Sequence, residues 1–146
     1  MDRALALVCT LLVGGLVALQ PPANAALASH VSDLGAAFVS LLISFFIVAL
    51  LLLVVGDPGR LSGVRAFRPE YAIGGIAGAA IVTVSLITVR SLGVAGVTAT
   101  LVTAQLIVSV IADRVGVLGV QEVPITWQRV LGVALVIAGT YLVTRP

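Results

Sequence analysis

Residues 34–55 read LGAAFVSLLISFFIVALLLLVV, a run with no charged side chain. At ~1.5 Å per helical residue it reaches about 33 Å, enough to cross ~30 Å of hydrocarbon. The run is apolar on every face and lacks the period-two alternation of a membrane barrel strand, so it reads as a transmembrane helix. Similar runs cover Ala4–Leu19, Ala72–Val89, Leu92–Ala112 and approximately Val130–Val143. The expected fold is therefore all-α: a single polytopic transmembrane domain over residues 1–146, with spans near 4–20, 34–55, 72–89, 92–112 and 127–144.

Composition agrees with that expectation, since the 146 residues are 60% hydrophobic and 10% charged. Five spans take about 100 residues and leave about 45 for ends and connections, so no extramembrane domain fits. One cysteine, Cys9, and one histidine, His30, argue against a disulfide scaffold and a Cys/His zinc site. The net charge of +2 comes from scattered arginines, which points away from nucleic acid. The bilayer is the expected partner; no metal, cofactor or enzymatic activity is expected.

The first run carries a competing signal. Met1-Asp2-Arg3, an apolar stretch and Ala23-Asn24-Ala25 resemble a cleavable secretory signal, but Pro21-Pro22 just ahead of the A-x-A favours a retained first helix. Lysine is absent, and the arginines divide six to two: Arg3, Arg60, Arg65, Arg68, Arg114 and Arg129 against Arg90 and Arg145. The positive-inside rule then predicts a cytoplasmic N-terminus and an external C-terminus. Tyr71, Trp127 and Tyr141 fall at span ends, where aromatic rings favour the headgroup layer. Ser32 or Asp33 is positioned to cap the second helix, and Gly56-Asp57-Pro58-Gly59 to end it. The segment 60–70 is expected to lie on the inner surface against anionic lipid.

Function is sought in the polar residues that hydrocarbon tolerates poorly. Gln20, Pro21, Pro22 and Asn24 follow an apolar run of only about 16 residues, or ~24 Å, so a helix break at Pro21 and Pro22 is expected. Prolines there leave the carbonyls of Val17 and Ala18 without intrahelical donors, and irregular backbone at membrane depth belongs in protein or in a wet cavity. The alternative is a helix that ends at Leu19, with Gln20 among headgroups. On the fourth helix Thr98, Gln105, Ser109 and Asp113 recur at steps of seven, four and four, one stripe of a 3.6-residue helix. Gln105 either meets substrate or joins helices by a hydrogen bond. Gly74, Gly78, Gly132 and Gly139 are candidates for close helix packing. Asp113 and Arg129, at the inner ends of helices four and five, are candidates for an ion pair. No ionisable residue falls near the centre of a span, which disfavours proton-coupled export of cationic drugs.

Taken together, the residues resemble the five-helix YdcZ-like branch of the drug/metabolite transporter superfamily. The resemblance covers most of the chain. It rests on Leu19-Gln20 followed by Asn24, Ser44-Phe45, Gly74-Gly75-Ile76-Ala77-Gly78, Ala104-Gln105 leading to Asp113, Gly116 and Leu118-Gly119, then Arg129 and Gly132. The sequence departs from that pattern at Pro21-Pro22 and at Val48, where glycine is usual. The resemblance implies a half-type unit of an inner-membrane transporter that pairs with an inverted homodimeric or paralogous partner, with the last helix in the dimer contact and a central path for a small-molecule substrate. Gln20, Asn24, Gln105, Ser44, Thr98 and Ser109 are the candidate substrate contacts. A depth estimate puts Gln20 about 24 Å and Gln105 about 10 Å from the inner face, so the two would be level only across an inverted pair. The rival function is a non-transporting membrane subunit or scaffold that packs through its small-residue helix faces.

Overall fold

A computed structural model describes residues 2–116 and 121–145. The Leu118-Gly119 pair of the family pattern and Met1 lie outside the described residues. The elements in order are α1 (Arg3–Ala28), α2 (Asp33–Val54), two 3₁₀ turns (Pro58–Ala66 and Pro69–Ala72), α3 (Ile73–Val115) and α4 (Trp127–Thr144). Four helices among the described residues are long and apolar enough to cross a membrane.

The expected third and fourth spans are both found within α3. A straight helix of its 43 residues would be about 64 Å long, twice the hydrocarbon thickness. Gly93 interrupts it with φ 69° and ψ 170°, a backbone conformation essentially confined to glycine. The resulting arms, 73–92 and 94–115, are each ~30 Å long, so five span-length helical stretches result.

The chain divides into two compact units, residues 1–90 and 91–146. In the first, α1 and α2 form an αα-hairpin through the short turn 29–32. Ser32 caps α2 by accepting from the Gly35 N–H at 3.0 Å. Gly35 makes room for that cap, because a Cβ there would stand 3.0 Å from the Ser32 hydroxyl. Ala28 of α1, Ala36 and Ala37 of α2, and Val82 and Leu86 of α3 form the core. Three alanines let the helices approach closely around Leu86, which is fully buried. At the far end of α2, Asp57 accepts from the Gly59 N–H at 3.1 Å and Pro58 opens the first 3₁₀ turn, as the turn residues predict.

The second unit pairs the arm 94–115 with α4. Thr126 caps α4 by accepting from the Arg129 N–H at 3.4 Å. The Thr103 and Thr140 hydroxyls lie 2.5 Å apart, and Thr140 also reaches the Ala99 carbonyl at 3.2 Å. Asp113 and Arg129 meet at 2.9 Å. Position rises along the arm as it falls along α4, so the two run antiparallel.

Candidate functional site

In the first unit a groove of about 680 Å³ runs between α1 and α2. Its walls are valine, leucine and isoleucine, broken by four polar side chains: Gln20 and Asn24 on α1, Ser40 and Ser44 on α2. Within each helix the polar pair is four positions apart, about one turn, which places both members on one face. Ala28 and Ala36 belong to the same core cluster near the hairpin turn. Asn24 and Gln20 follow one and two turns from Ala28, as Ser40 and Ser44 do from Ala36, and all four line the same groove. Ser44 stands near the middle of α2, and this polar band runs from there to Asn24, about 6 Å from the end of α1.

The chemistry of the band is that of neutral donors and acceptors. Ser44 donates its hydroxyl to the Ser40 carbonyl at 2.9 Å, which leaves its oxygen lone pairs as acceptors. Asn24 is only 7% exposed, and its Nδ2 is buried without an acceptor. A buried amide donor is nearly always paired, and one left unpaired carries its full desolvation cost. Val17, whose carbonyl meets no helical N–H because Pro21 stands four residues on, also lines the groove.

The expected helix break at Pro21 and Pro22 does not occur. α1 continues through both prolines to Ala28. A proline φ near −65° suits a helix, so the defect is confined to missing donors and ring crowding, and tertiary packing offsets it. Pro21 is buried and the turn beyond it is fixed by Ala28 in the core. This also moves the amides. Gln20 lies about 12 Å from the end of α1, and Gln105 about 15 Å from the end of α3. Both therefore sit deep in their own helices, and depth does not distinguish an inverted partner from a parallel one.

The remaining candidates belong to the second unit. Ser109, Asp113, Arg129 and Gly132 line a smaller cavity of about 250 Å³, where the Asp113–Arg129 pair is about one-third exposed. Thr98 is half-buried and Gln105 is exposed. The side of the arm that meets α4 carries Ala99, Thr103, Ser109 and Asp113, the last two being members of the four-residue stripe.

The close packing expected at Gly74, Gly78, Gly132 and Gly139 is not made among the described residues, since a Cβ at any of them would meet nothing within 4 Å. In the first unit the alanines and Leu86 supply the close contacts instead. Three features escaped the sequence analysis: Ser40, the Thr103–Thr140 contact, and an ion pair between Asp33 and Arg90. Ser40 is one turn from Ser44, a spacing that would have found it. Asp33 and Arg90 both fall at expected outer ends of spans, which was the available signal for their pairing.

The family model described as "Putative inner membrane exporter, YdcZ" matches residues 5–142. No curated protein and no solved structure matches the chain.

Proposed function

The chain belongs to the YdcZ family of the drug/metabolite transporter superfamily, and from that premise we propose that it is a small secondary transporter whose substrate is held in the groove between α1 and α2. The observation that carries the proposal is the convergence of Gln20, Asn24 and Ser44 on one cavity between two span-length helices. A polar band there is costly against lipid and useful against a solute. Movement would follow by alternating access, with one bundle rocking about the band.

The transporting unit in this proposal is a dimer with a second copy or a paralogue in the opposite orientation. Gly132 and Gly139 support a partner, because their chain leaves them uncovered on the last helix. Gln105, exposed in a strongly apolar arm, needs a polar neighbour that such a partner or a wet pathway would supply. The arginine distribution favours a cytoplasmic N-terminus, so the inverted partner either is a paralogue or inserts against that bias.

Counterflow in proteoliposomes tests the function, with panels of tritiated neutral, cationic and anionic small solutes. Saturable counterflow of one class that drops about tenfold in Gln20→Ala or Gln105→Ala, with the dimer intact, is the expected result. Folded protein that supports counterflow of no class, and whose glycine-face variants lose assembly instead, is a scaffold.

A further inference from the structure

We propose that the α1–α2 groove selects an uncharged solute carrying a strong hydrogen-bond acceptor on an apolar body, and that Asn24 donates to that acceptor. The inference rests on the transport reading and adds the chemical class of the ligand. Three observations lead to it.

First, among the described residues the groove is lined by no ionisable side chain, and its polar ones are Gln20, Asn24, Ser40 and Ser44. An ion entering it would lose hydration and find no countercharge, so charged solutes are rejected. Second, the rest of the wall is branched aliphatic, which suits an apolar body, and about 680 Å³ is the size of a small-molecule pocket. Third, Asn24 lines the groove, is more than nine-tenths buried, and keeps Nδ2 without an acceptor.

That third observation supplies the direction of the hydrogen bond. A ligand acceptor that reaches Asn24 breaks no existing bond at Nδ2, so the interaction is gained whole. Nδ2 is buried, so donation requires the amide to turn about χ2, a torsion with broad wells, and present its donor to the groove. On the opposite wall Ser44 already donates to the Ser40 carbonyl, so its oxygen is left to accept from any donor the solute carries. The resting protein therefore tolerates an unpaired amide that a leucine of similar size would remove. A residue with a purely structural task would be paired. Asn24 reads as a binding group maintained against stability.

The test uses the full chain in phosphatidylethanolamine/phosphatidylglycerol nanodiscs and three diazirine-bearing probes of equal size: a benzamide, a benzylammonium and a benzoate. The benzamide is expected to label peptides from 13–27 and 39–48 in a manner saturated by excess unlabelled benzamide, and the two ions are not. Asn24→Leu should cut the saturable labelling about tenfold, the value of one hydrogen bond to a buried donor, while its melting temperature stays level or rises. Asn24→Gln should retain saturable labelling. The proposal is overturned if Asn24→Leu labels like the parent, if the ammonium probe labels better than the amide, if labelling yields to added lipid but not to benzamide, or if Asn24→Leu melts lower. The last result would mean that the amide is bonded to a neighbouring chain. Absent counterflow with labelling intact removes the transport reading alone, whereas intact counterflow with no Asn24-dependent labelling removes this inference alone.

Discussion

Arg90 holds Asp33 with both arms of its guanidinium, Nη1 at 3.2 Å and Nη2 at 2.6 Å from the two carboxylate oxygens, across 57 positions of sequence. Asp33 occupies the first turn of α2, where a negative charge also favours the helix dipole. The bond ties the first arm of α3 to the start of α2 at the same end of the unit as the Ala28–Ala36 core. Planar two-point pairing adds geometric specificity that a lysine could not supply.

Removing either partner should destabilise the first unit modestly, because the side chains are 51% and 35% exposed. Arg90→Ala and Asp33→Ala are each expected to cost about 1 kcal/mol, with a coupling of similar size in a double-mutant cycle read by denaturant unfolding in micelles. Arg90→Lys should recover less than half of it. A coupling near zero would show the pair to be ornamental.

Gly93 makes a sharper prediction. A Cβ there would meet nothing within 4 Å, so Gly93→Ala incurs only the backbone penalty of φ 69°. That penalty is about 1–3 kcal/mol and should appear as a lower melting temperature. Gly75→Ala, equally open but helical, should be neutral or slightly stabilising.

The Thr103–Thr140 contact should be worth little alone. Interhelical hydrogen bonds in membranes average ~0.6 kcal/mol, so Thr103→Val is expected to cost about that much. The Thr103→Val/Thr140→Val double variant should cost less than the sum of the two single variants, because both delete the shared contact while Thr140→Val also removes its bond to the Ala99 carbonyl. Additive costs would indicate that each hydroxyl has separate work.

Gly139→Ile reads the partner surface. With open space around Gly139 within its chain, the substitution should leave the monomer's helicity and melting temperature in detergent nearly unchanged. Crosslinked dimer in bilayers should fall severalfold. A dimer that persists would place the contact on another face.

Orientation is open to a fusion reporter. Five spans with the arginine majority inside put the C-terminus outside, so alkaline phosphatase joined after Pro146 should be active and a cytoplasmic reporter dark. Activity of both reporters in separate fusions would indicate insertion in both directions.

How far the sequence could be read differed by region, and the reasons are physical. The spans were legible because hydrocarbon imposes a length and excludes charge, which left Leu34–Val55 no other structure to form. The division of α3 was anticipated from Arg90-Ser91, yet the turn itself falls at Gly93, since φ there selects glycine and charge does not. Pro21 and Pro22 misled because local propensity argues for an end, while burial of Pro21 and Ala28 outweighs it. Gln20, Asn24 and Ser44 could be chosen as polar outliers, and the groove joins them. Ser40 was within reach as the hydroxyl one turn from Ser44, but Thr103 could not be separated from other hydroxyls, whose ordinary partner is a carbonyl of their own helix, as Thr10 and Ser44 show.

The four-residue turn between α1 and α2 has a bearing on how the chain enters the membrane. With so little slack, the two helices are expected to enter the bilayer as one hairpin unit rather than in sequence. The windows have mean hydropathies of 2.0 for α1 and 3.0 for α2. The oilier α2 therefore drags in a companion whose prolines and amides would partition less readily by themselves. Lengthening the tether at 29–32 would uncouple that assistance, and α1 would then have to win its place in lipid unaided.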